Sequence, residues 1–152
     1  HNHPNPTSYY GLFNLHHNMR LLTHNFLKSN VKGTENGYPL NIEVTTVRCD
    51  ESSPVDKEFL LNLLPKVNYA ALRSAVQQLN PHCDPPLPEI PEELDVSDED
   101  GNRNLDDALI ANLHRVMFDI YLVEGWLVCP DTGRKFPVKD CIPNMILHED
   151  EI

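Results

Sequence analysis

The chain is poor in basic residues, and this limits the partners it can bind. Among 152 residues, 12 are Lys or Arg and 23 are Asp or Glu, which gives a formal net charge of -11. Nucleic acids and anionic lipids are held mainly by Lys and Arg. We therefore expect no direct nucleic-acid partner and no membrane partner. The charge favours solubility and a basic protein as partner.

The sequence also lacks the motifs of common active sites. It has six glycines, and no glycine-rich loop for a dinucleotide or a phosphate is present. No Gly-flanked serine that would form a nucleophile elbow is found either. His114 is expected in the middle of a helix, where its ring is a packed or surface side chain, and His24 lies near the start of the chain. We therefore expect that the chain is not an enzyme by itself and has no catalytic residues.

The cysteines are few and unpaired. They are Cys49, Cys83, Cys129 and Cys141. Disulfide frameworks and structural zinc sites need closer cysteine pairs than these. We expect a reduced, intracellular chain without a metal. The alternative, in which three of the cysteines converge with His24 or His148 around zinc, stays open at this point.

One loop nevertheless has the form of half a zinc knuckle. Residues 129–133 read Cys-Pro-Asp-Thr-Gly, so that Thr132 stands where a second thiolate would lie in a CPxCG knuckle. Since structural zinc needs four ligands, this loop predicts a recognition surface rather than a metal site.

Hydrophobic periodicity predicts an α+β fold. Residues 1–18 are polar and rich in histidine, and we interpret them as a tag or a disordered leader. Residues 19–54 and 118–152 are expected to form a small antiparallel sheet of zinc-knuckle-like type, built from both chain ends. Residues 55–117 form an inserted helical lobe. Within it, the acidic and proline-rich connector 81–103 is predicted to be exposed, with a partly mobile path.

Local signals place the helices. A short helix is expected after Thr23, which is a possible N-cap, as Asn68 and Asn104 are for later helices. Apolar residues at helical spacing over 56–64 predict a further helix that ends at Pro65.

Alternating residues place the strands. We expect a strand from Leu40 to Thr46, and another from Ile120 to Glu124. Gly125 is predicted to turn the chain into a return strand. Further strands are expected around Phe136 and over 144–147, before a frayed tail.

Two apolar segments, one near each chain end, predict a surface for another protein. A short apolar strand at a sheet edge is a template for pairing with a second chain. The N-terminal candidate residues are Leu21, Leu22, Thr23, Asn25, Phe26 and Leu27. The C-terminal candidate residues are Ile142, Pro143, Asn144, Met145, Ile146 and Leu147.

Several motifs in order give the chain a family resemblance. They are MRLLTHNFL at residues 19–27, YPL at 38–40, VEG at 123–125, CPDTGRKFP at 129–137 and IPNMIL at 142–147. With these motifs the chain resembles the multifunctional methyltransferase subunits, small activator proteins shared by several methyltransferases. The match runs from Met19 to the C-terminus.

The resemblance implies a non-catalytic role. Members form heterodimers with class I methyltransferase catalytic subunits, which bind S-adenosylmethionine themselves. The clients methylate tRNA, 18S rRNA and translation release factor, which implies a cytoplasmic and nuclear protein. The alternative is a zinc-dependent structural protein-interaction module unrelated to methylation.

The resemblance also bears on zinc. Some members hold zinc with four cysteines, at positions that fall here on Ser29, Thr34, Cys129 and Thr132. Because three of the four ligands are replaced, zinc is not expected. The loop is then expected to be held by packing and hydrogen bonds.

Overall fold

The computed structural model of the chain describes residues 18–94 and 105–152. The predicted leader, apart from Asn18, and the acidic run 97–103 lie outside the described residues. The helices are α1 (Leu21–Phe26), α2 (Lys57–Leu63), α3 (Tyr69–Leu79) and α4 (Asp107–Phe118). The strands are β1 (Asn41–Cys49), β2 (Ile120–Val128), β3 (Lys135–Lys139) and β4 (Ile142–Pro143). Single 3-10 turns span Leu64–Lys66, Asn80–His82 and Glu149–Glu151.

The four strands form one antiparallel sheet in the order β1-β2-β3-β4. Strand β1 comes from the N-terminal part of the chain, and the other three follow α4. Helices α2, α3 and α4 lie between β1 and β2 in chain order. The coarse prediction, a mixed fold with a small antiparallel sheet, is confirmed.

Strand β1 is longer than predicted because a bulge interrupts it. The register with β2 shifts between Val44 and Thr46 and again before Val47. Thr46 is exposed, whereas Val47 and Cys49 are partly buried against the core. A bulge inserts a residue and reverses the alternation beyond it, so the period of two in the sequence underestimated the strand.

Gly125 does not turn the chain, and that prediction is wrong. It lies inside the continuous strand β2, paired with Val44 on one side and Val138 on the other. A Cβ at Gly125 would lie 2.2 Å from the carbonyl oxygen of Glu43. Glycine is therefore needed for the close approach of two backbones at the bulge, rather than for a turn.

The predicted cap of α3 is confirmed, and the predicted cap of α1 is wrong. Asn68 caps α3 by accepting the N–H of Ala71 at 3.0 Å. Thr23 lies inside α1, since the helix already begins at Leu21. Its hydroxyl donates to the carbonyl oxygen of Asn18 at 2.9 Å, which fixes the chain entering the helix.

Helix α4 begins two residues later than predicted. Its N-cap is Asp106, whose carboxylate accepts the N–H of Leu109 at 2.8 Å. The predicted cap, Asn104, lies outside the described residues. Asp107 is in the first turn, where an acidic side chain is favoured by the helix dipole.

The described part of the connector, residues 81–94, is largely exposed as predicted, but isolated side chains within it pack against the core. Leu87 is buried, and its N–H donates to Asn80 Oδ1 at 2.8 Å. The hydroxyl of Tyr69 donates to the carbonyl of Pro91 at 2.5 Å. Isolated apolar residues between the prolines thus find core contacts that composition does not reveal.

One hydrophobic cluster joins the sheet to the helices. Its fully buried members come from the four helices and from β2 and β3: Leu21, Leu60, Leu72, Leu79, Leu113, Met117, Ile120, Leu127 and Phe136. On the outer side of β1, the N–H of Ile42 donates to Gln78 Oε1 of α3 at 2.7 Å. No helix in the described ranges is long and apolar enough to cross a bilayer.

Candidate functional site

The four positions that the family resemblance links to zinc meet in the structure. Ser29 and Cys129 are buried, with 0% and 1% of their surface exposed. The hydroxyl of Thr34 lies 3.6 Å from the sulfur of Cys129. The hydroxyls of Ser29 and Thr132 also lower the pKa of the same thiol. We call these four residues the hydroxyl cluster.

The hydroxyl cluster favours the anionic form of its sulfur. Burial acts to raise the pKa of the Cys129 thiol, since a charge is poorly solvated inside a protein. The hydrogen bonds from Ser29, from the hydroxyl and N–H of Thr132, and from Thr34 outweigh burial. Together they lower the pKa of Cys129 to about 6. At neutral pH the sulfur is therefore largely a thiolate held by hydrogen-bond donors.

The donor set does not fit structural zinc. Zinc in such sites takes four ligands from thiolates, imidazoles and carboxylates, and this cluster offers one sulfur and three neutral hydroxyls. Within residues 18–94 and 105–152 no group of three or more His, Cys, Asp or Glu side chains is placed to hold a metal ion.

The alternative zinc set considered from the sequence is not assembled. The ring of His24 is buried, and its Nε2 lies 2.7 Å from the carbonyl oxygen of Leu40. Burial lowers the pKa of His24, so the imidazole is neutral. The sulfur of Cys141 instead accepts a hydrogen bond from Arg48 at 3.6 Å.

A carboxylate joins the loop of Cys129 to the preceding loop. Oδ2 of Asp131 accepts the backbone N–H groups of Glu35, Asn36 and Gly37 at 3.1, 2.9 and 2.8 Å. These backbone bonds lower the pKa of Asp131. Three successive N–H groups form an anion-binding concavity, which here holds a side chain of the same molecule.

The C-terminal tail is anchored beside this loop, so the prediction of a frayed tail is wrong. The guanidinium of Arg134 donates to Glu151 through Nε at 2.5 Å and through its terminal nitrogen at 2.9 Å. The carbonyl of Glu151 accepts the N–H of Lys32 at 2.7 Å. This pairing, with the N–H of His148, lowers the pKa of Glu151 to about 2.

Most N-terminal candidates for partner binding face inward. Leu21, Leu22, Thr23 and Asn25 are buried. Asn25 exchanges two hydrogen bonds with the backbone of Asn68, at 2.8 and 2.9 Å. Phe26 is 48% exposed, and Leu27 is partly buried against the core.

The C-terminal candidates alternate between core and solvent. Ile142 and Ile146 are 52% and 74% exposed, respectively, and Asn144 is exposed as well. Met145 and Leu147 are partly buried against the core, and Pro143 is partly exposed. A continuous strand over 144–147 was predicted, but β4 ends at Pro143. The cause is Asn144, whose side chain accepts the N–H of Ile146 at 3.0 Å and turns the chain away from the ladder.

Backbone hydrogen bonds connect the start of the N-terminal candidate segment to the start of the C-terminal one. The N–H of Met19 donates to the carbonyl of Cys141 at 2.7 Å, and the carbonyl of Met19 accepts the N–H of Leu122 at 2.9 Å. The residues just before α1 and just before β4 are therefore both hydrogen-bonded to β2. Whether their side chains bind a partner stays a prediction.

Sequence reasoning missed an exposed aromatic residue on the outer face of the sheet. Trp126 is 41% exposed and pairs in register with Glu43 and Pro137. The alternation with buried Leu127 was its sequence signal, which the assumed turn at Gly125 concealed.

Sequence reasoning also missed a Ser-His-Asp group. Its geometry suits a structural role rather than catalysis. Ser53 Oγ donates to Asp119 at 2.7 Å and lies 2.7 Å from His114 Nε2. In a hydrolytic triad the carboxylate orients the imidazole, whereas Asp119 here binds the serine directly. His114 is stacked on Phe118 at 4.9 Å between ring centroids. The group secures the loop after β1 on α4.

The family model described as Trm112p-like protein matches residues 20–140. The chain is 38% identical over 134 residues to multifunctional methyltransferase subunit TRM112 homolog A of Arabidopsis thaliana, covering 88% of this chain and 100% of that protein. It is 38% identical over 136 residues to the TRM112-like subunit of Mus musculus, covering 88% and 98%. A solved structure titled as the E. cuniculi Mtq2-Trm112 complex, which methylates the eRF1 termination factor, matches with a TM-score of 0.49 and 18% identity, covering 84% of this chain and 95% of that one.

Proposed function

Because the chain belongs to the Trm112p-like family, we propose that it is a non-catalytic subunit of methyltransferases. It forms a heterodimer with a class I catalytic subunit, which binds S-adenosylmethionine, and it stabilises and activates that subunit. The observation that carries this proposal is the match over 100% and 98% of two relatives named as methyltransferase subunits.

The exposed apolar residues support a protein partner. Phe26, Ile142 and Ile146 lie in the two predicted binding segments and each exposes about half or more of its surface. Strand β4 is an edge of the sheet, where a partner strand can add. A stable heterodimer buries about 1,600 Å² in total, which is more than three side chains can supply. We therefore include the exposed Trp126 in the docking face.

The proposal extends to the clients and to the place of action. By analogy with the family, the partners methylate tRNA, 18S rRNA and translation release factor. The protein then works in the cytoplasm and the nucleus. The net charge of -11 supports a role in which the partner, rather than this chain, contacts RNA.

We also propose that the sheet region is zinc-knuckle-like in shape but does not use zinc. The hydroxyl cluster and the carboxylate of Asp131 hold together the two loops that a knuckle would join through its metal. The competing function, a zinc-dependent interaction module, requires about one zinc per chain. The division into a sheet domain (19–54 and 118–152) and a helical lobe (55–117) is kept as part of this proposal.

Co-expression with candidate catalytic subunits tests the proposed function. We expect Ile142→Asp and Ile146→Asp together to abolish copurification, since two charges would enter an apolar contact. Met145 is left unchanged because it packs against the core. Val55→Asp together with Ile152→Asp is the matched control, since these two side chains are also exposed, at 45% and 79%.

Three results would contradict the proposal. The first is full copurification of the Ile142 and Ile146 variant. The second is equal loss in the control variant. The third is methyltransferase activity from this chain purified alone. Circular dichroism of each variant distinguishes a lost contact from a lost fold.

A further inference from the structure

The segment between β1 and α2 contains a serine that is followed directly by proline. Residues 50–56 read Asp-Glu-Ser-Ser-Pro-Val-Asp, so that Ser53 precedes Pro54. Proline lacks a backbone N–H and keeps the residue before it extended, and proline-directed protein kinases select their serines and threonines by these features. No other Ser-Pro or Thr-Pro pair occurs in the sequence.

This segment can be reached by another protein. Residues 50–56 belong to no helix or strand, and Ser52, Pro54 and Val55 are exposed. Ser53 itself is partly exposed. A loop with exposed residues on both sides of its attachment opens locally at a smaller free energy than the core. A kinase can therefore bind the Ser-Pro pair while the core stays folded.

The backbone and the hydroxyl of Ser53 attach the segment to the end of α4. Ser53 Oγ donates to Oδ1 of Asp119 at 2.7 Å and lies 2.7 Å from Nε2 of His114. Because a hydroxyl has one proton, the ring N–H of His114 donates to the serine oxygen. The N–H of Ser53 donates to Oδ2 of Asp119 at 3.2 Å, and the N–H of Asp50 donates to the carbonyl of Asp119 at 2.9 Å. The buried Asp119 is therefore the residue on which the segment is held.

We propose that Ser53 is a phosphorylation site for a proline-directed protein kinase, and that the phosphate releases residues 50–56 from α4. The Ser53 oxygen attacks the γ-phosphorus of ATP, and a bond forms between that oxygen and the phosphorus. The bond from the γ-phosphorus to its bridging oxygen breaks, so that ADP leaves. The hydroxyl proton passes to a carboxylate of the kinase and then to solvent.

The contacts of Ser53 have no room for a phosphate. The serine oxygen is enclosed by Asp119 and His114, each at 2.7 Å, whereas a phosphate adds three further oxygens. The ester oxygen also has no proton left to donate to Asp119. The bonds that now hold the hydroxyl are therefore lost on modification.

Charge acts in the same direction. A phosphate carries about −1.5 to −2 charges at neutral pH, and it would lie beside the carboxylate of Asp119. Arg115 faces this group, but its guanidinium already lies 3.6 Å from Asp119 and donates to the carbonyl of Asp50. One guanidinium would then face two anionic groups, so we expect repulsion to detach the segment.

Detachment would loosen the junction between β1 and α2. Asp50 follows β1 directly. At the other end of the segment, Asp56 caps α2 by accepting the N–H of Phe59 at 3.0 Å. The phosphate would thereby set how freely α2 moves relative to the sheet.

The first test incubates the full unphosphorylated chain with a mitogen-activated protein kinase, ATP and Mg²⁺. Intact mass spectrometry is expected to show the gain of one phosphoryl group, and fragmentation to place it on Ser53 rather than on the adjacent Ser52. Pro54→Ala should abolish the gain although both serines remain. Ser52→Ala, the matched control, should leave the gain unchanged.

Amide hydrogen exchange then measures the release. The N–H of Asp50 should exchange about tenfold faster or more in the phosphorylated chain, because its bond to Asp119 is lost. The N–H of Gly37, which is bonded to Asp131 in another loop, should keep its rate. Ser53→Asp and Ser53→Asn have similar shapes and differ in charge, so exchange at Asp50 should be faster in the Asp variant.

Five outcomes would overturn the proposal. No phosphoryl gain, a phosphate mapped to another residue, or equal phosphorylation of Pro54→Ala would exclude Ser53 as a proline-directed site. Unchanged exchange at Asp50 after phosphorylation would exclude the release. Equal exchange in the Asp and Asn variants would exclude charge as its cause. Mapping and the main exchange measurement use the unmutated chain, so they do not depend on whether a variant folds.

Discussion

The carboxylate of Asp131 accepts the backbone N–H of Gly37 at 2.8 Å. With the N–H groups of Glu35 and Asn36, this contact joins two loops that are far apart in sequence. A metal ion would crosslink two such loops through its ligands. Here a side chain and the hydroxyl cluster make the connection.

Because Asp131 joins the two loops, removing its carboxylate should lower the stability of the fold. Asp131→Ala leaves three N–H groups without their acceptor, and the thermal unfolding midpoint should fall. Since the pKa of Asp131 is lowered, its contribution is present above its ordinary pKa and is lost as the pH falls below it. The midpoint difference from the unmutated protein should therefore shrink in acid. Glu51→Ala, which removes an exposed carboxylate in the loop after β1, is the control and should have little effect at either pH.

Two glycines give a matched pair for a steric prediction. Gly37 and Gly133 both have positive φ, +73° and +81°. A Cβ at Gly37 would lie 2.2 Å from the carbonyl oxygen of Ser29, while a Cβ at Gly133 would meet nothing within 4 Å. We expect Gly133→Ala to cost about 1 kcal/mol from backbone strain alone. Gly37→Ala should cost about 3 kcal/mol or more, measured by urea unfolding. Equal costs would show that the backbones at Gly37 and Ser29 are not in close contact.

The tail predicts a transition in acid. The pKa of Glu151 is lowered to about 2, so its contribution is present above the ordinary value and is lost as the pH falls toward about 2. Glu151→Gln should release the tail at neutral pH, detected as faster amide exchange at Lys32, whose N–H is bonded to it. Glu149→Gln, in the same turn, serves as the control. Unchanged exchange at Lys32 in the Glu151 variant would disprove the anchoring role.

Restoring three thiolates tests the arrangement of the hydroxyl cluster. The combined variant Ser29→Cys, Thr34→Cys and Thr132→Cys should bind about one zinc per chain, because four converging thiolates suit tetrahedral zinc. Its unfolding midpoint should then depend on a chelator. The unmutated chain should contain no zinc and should be insensitive to the chelator. Ser29→Cys alone, with two thiolates, is the control for weak binding. A triple variant that folds without taking up zinc would show that the four positions do not converge as described.

The stability that Cys129 contributes should depend on pH, unlike that of a buried neutral thiol. Its pKa is lowered from 9.0 to about 6. The stabilisation is therefore complete above the ordinary pKa and is lost as the pH falls through about 6. The penalty of Cys129→Ala, measured by urea unfolding, should be larger at about pH 8.5 than at about pH 5.5. Thiolate absorbance near 240 nm that disappears in this variant is an independent check. A penalty independent of pH would mean that the sulfur is a neutral core atom.

The elements with local signals were the ones that sequence reasoning predicted correctly. Helix α3 has its cap in Asn68 and its apolar stripe within a single segment, so its start and its buried face follow from neighbouring residues. The bulge at Thr46 depends on how β1 meets β2. The burial of Leu87 depends on a helix surface, and the anchoring of Glu151 on an arginine in another strand. Contacts of this kind join residues that the sequence keeps apart.

The candidate site divides in the same way. The family resemblance identified Ser29, Thr34, Cys129 and Thr132 as one group, and the structure brings them together. It did not indicate that the three hydroxyls donate to the sulfur. Nor did it reveal the role of Asp131, because a backbone N–H concavity leaves no side-chain pattern to recognise.

The two edges of the sheet differ, and this difference bears on the amount of the protein that a cell can hold without its partners. At the β1 edge the N–H of Ile42 is paired with Gln78 of α3, whereas within the described ranges no strand pairs with the outer side of β4. An open edge with exposed isoleucines invites pairing between copies of the chain. Molecules made in excess of their partners would thus be the first to aggregate or to be degraded. The abundance of this subunit would then follow the summed abundance of the catalytic subunits that cover the edge.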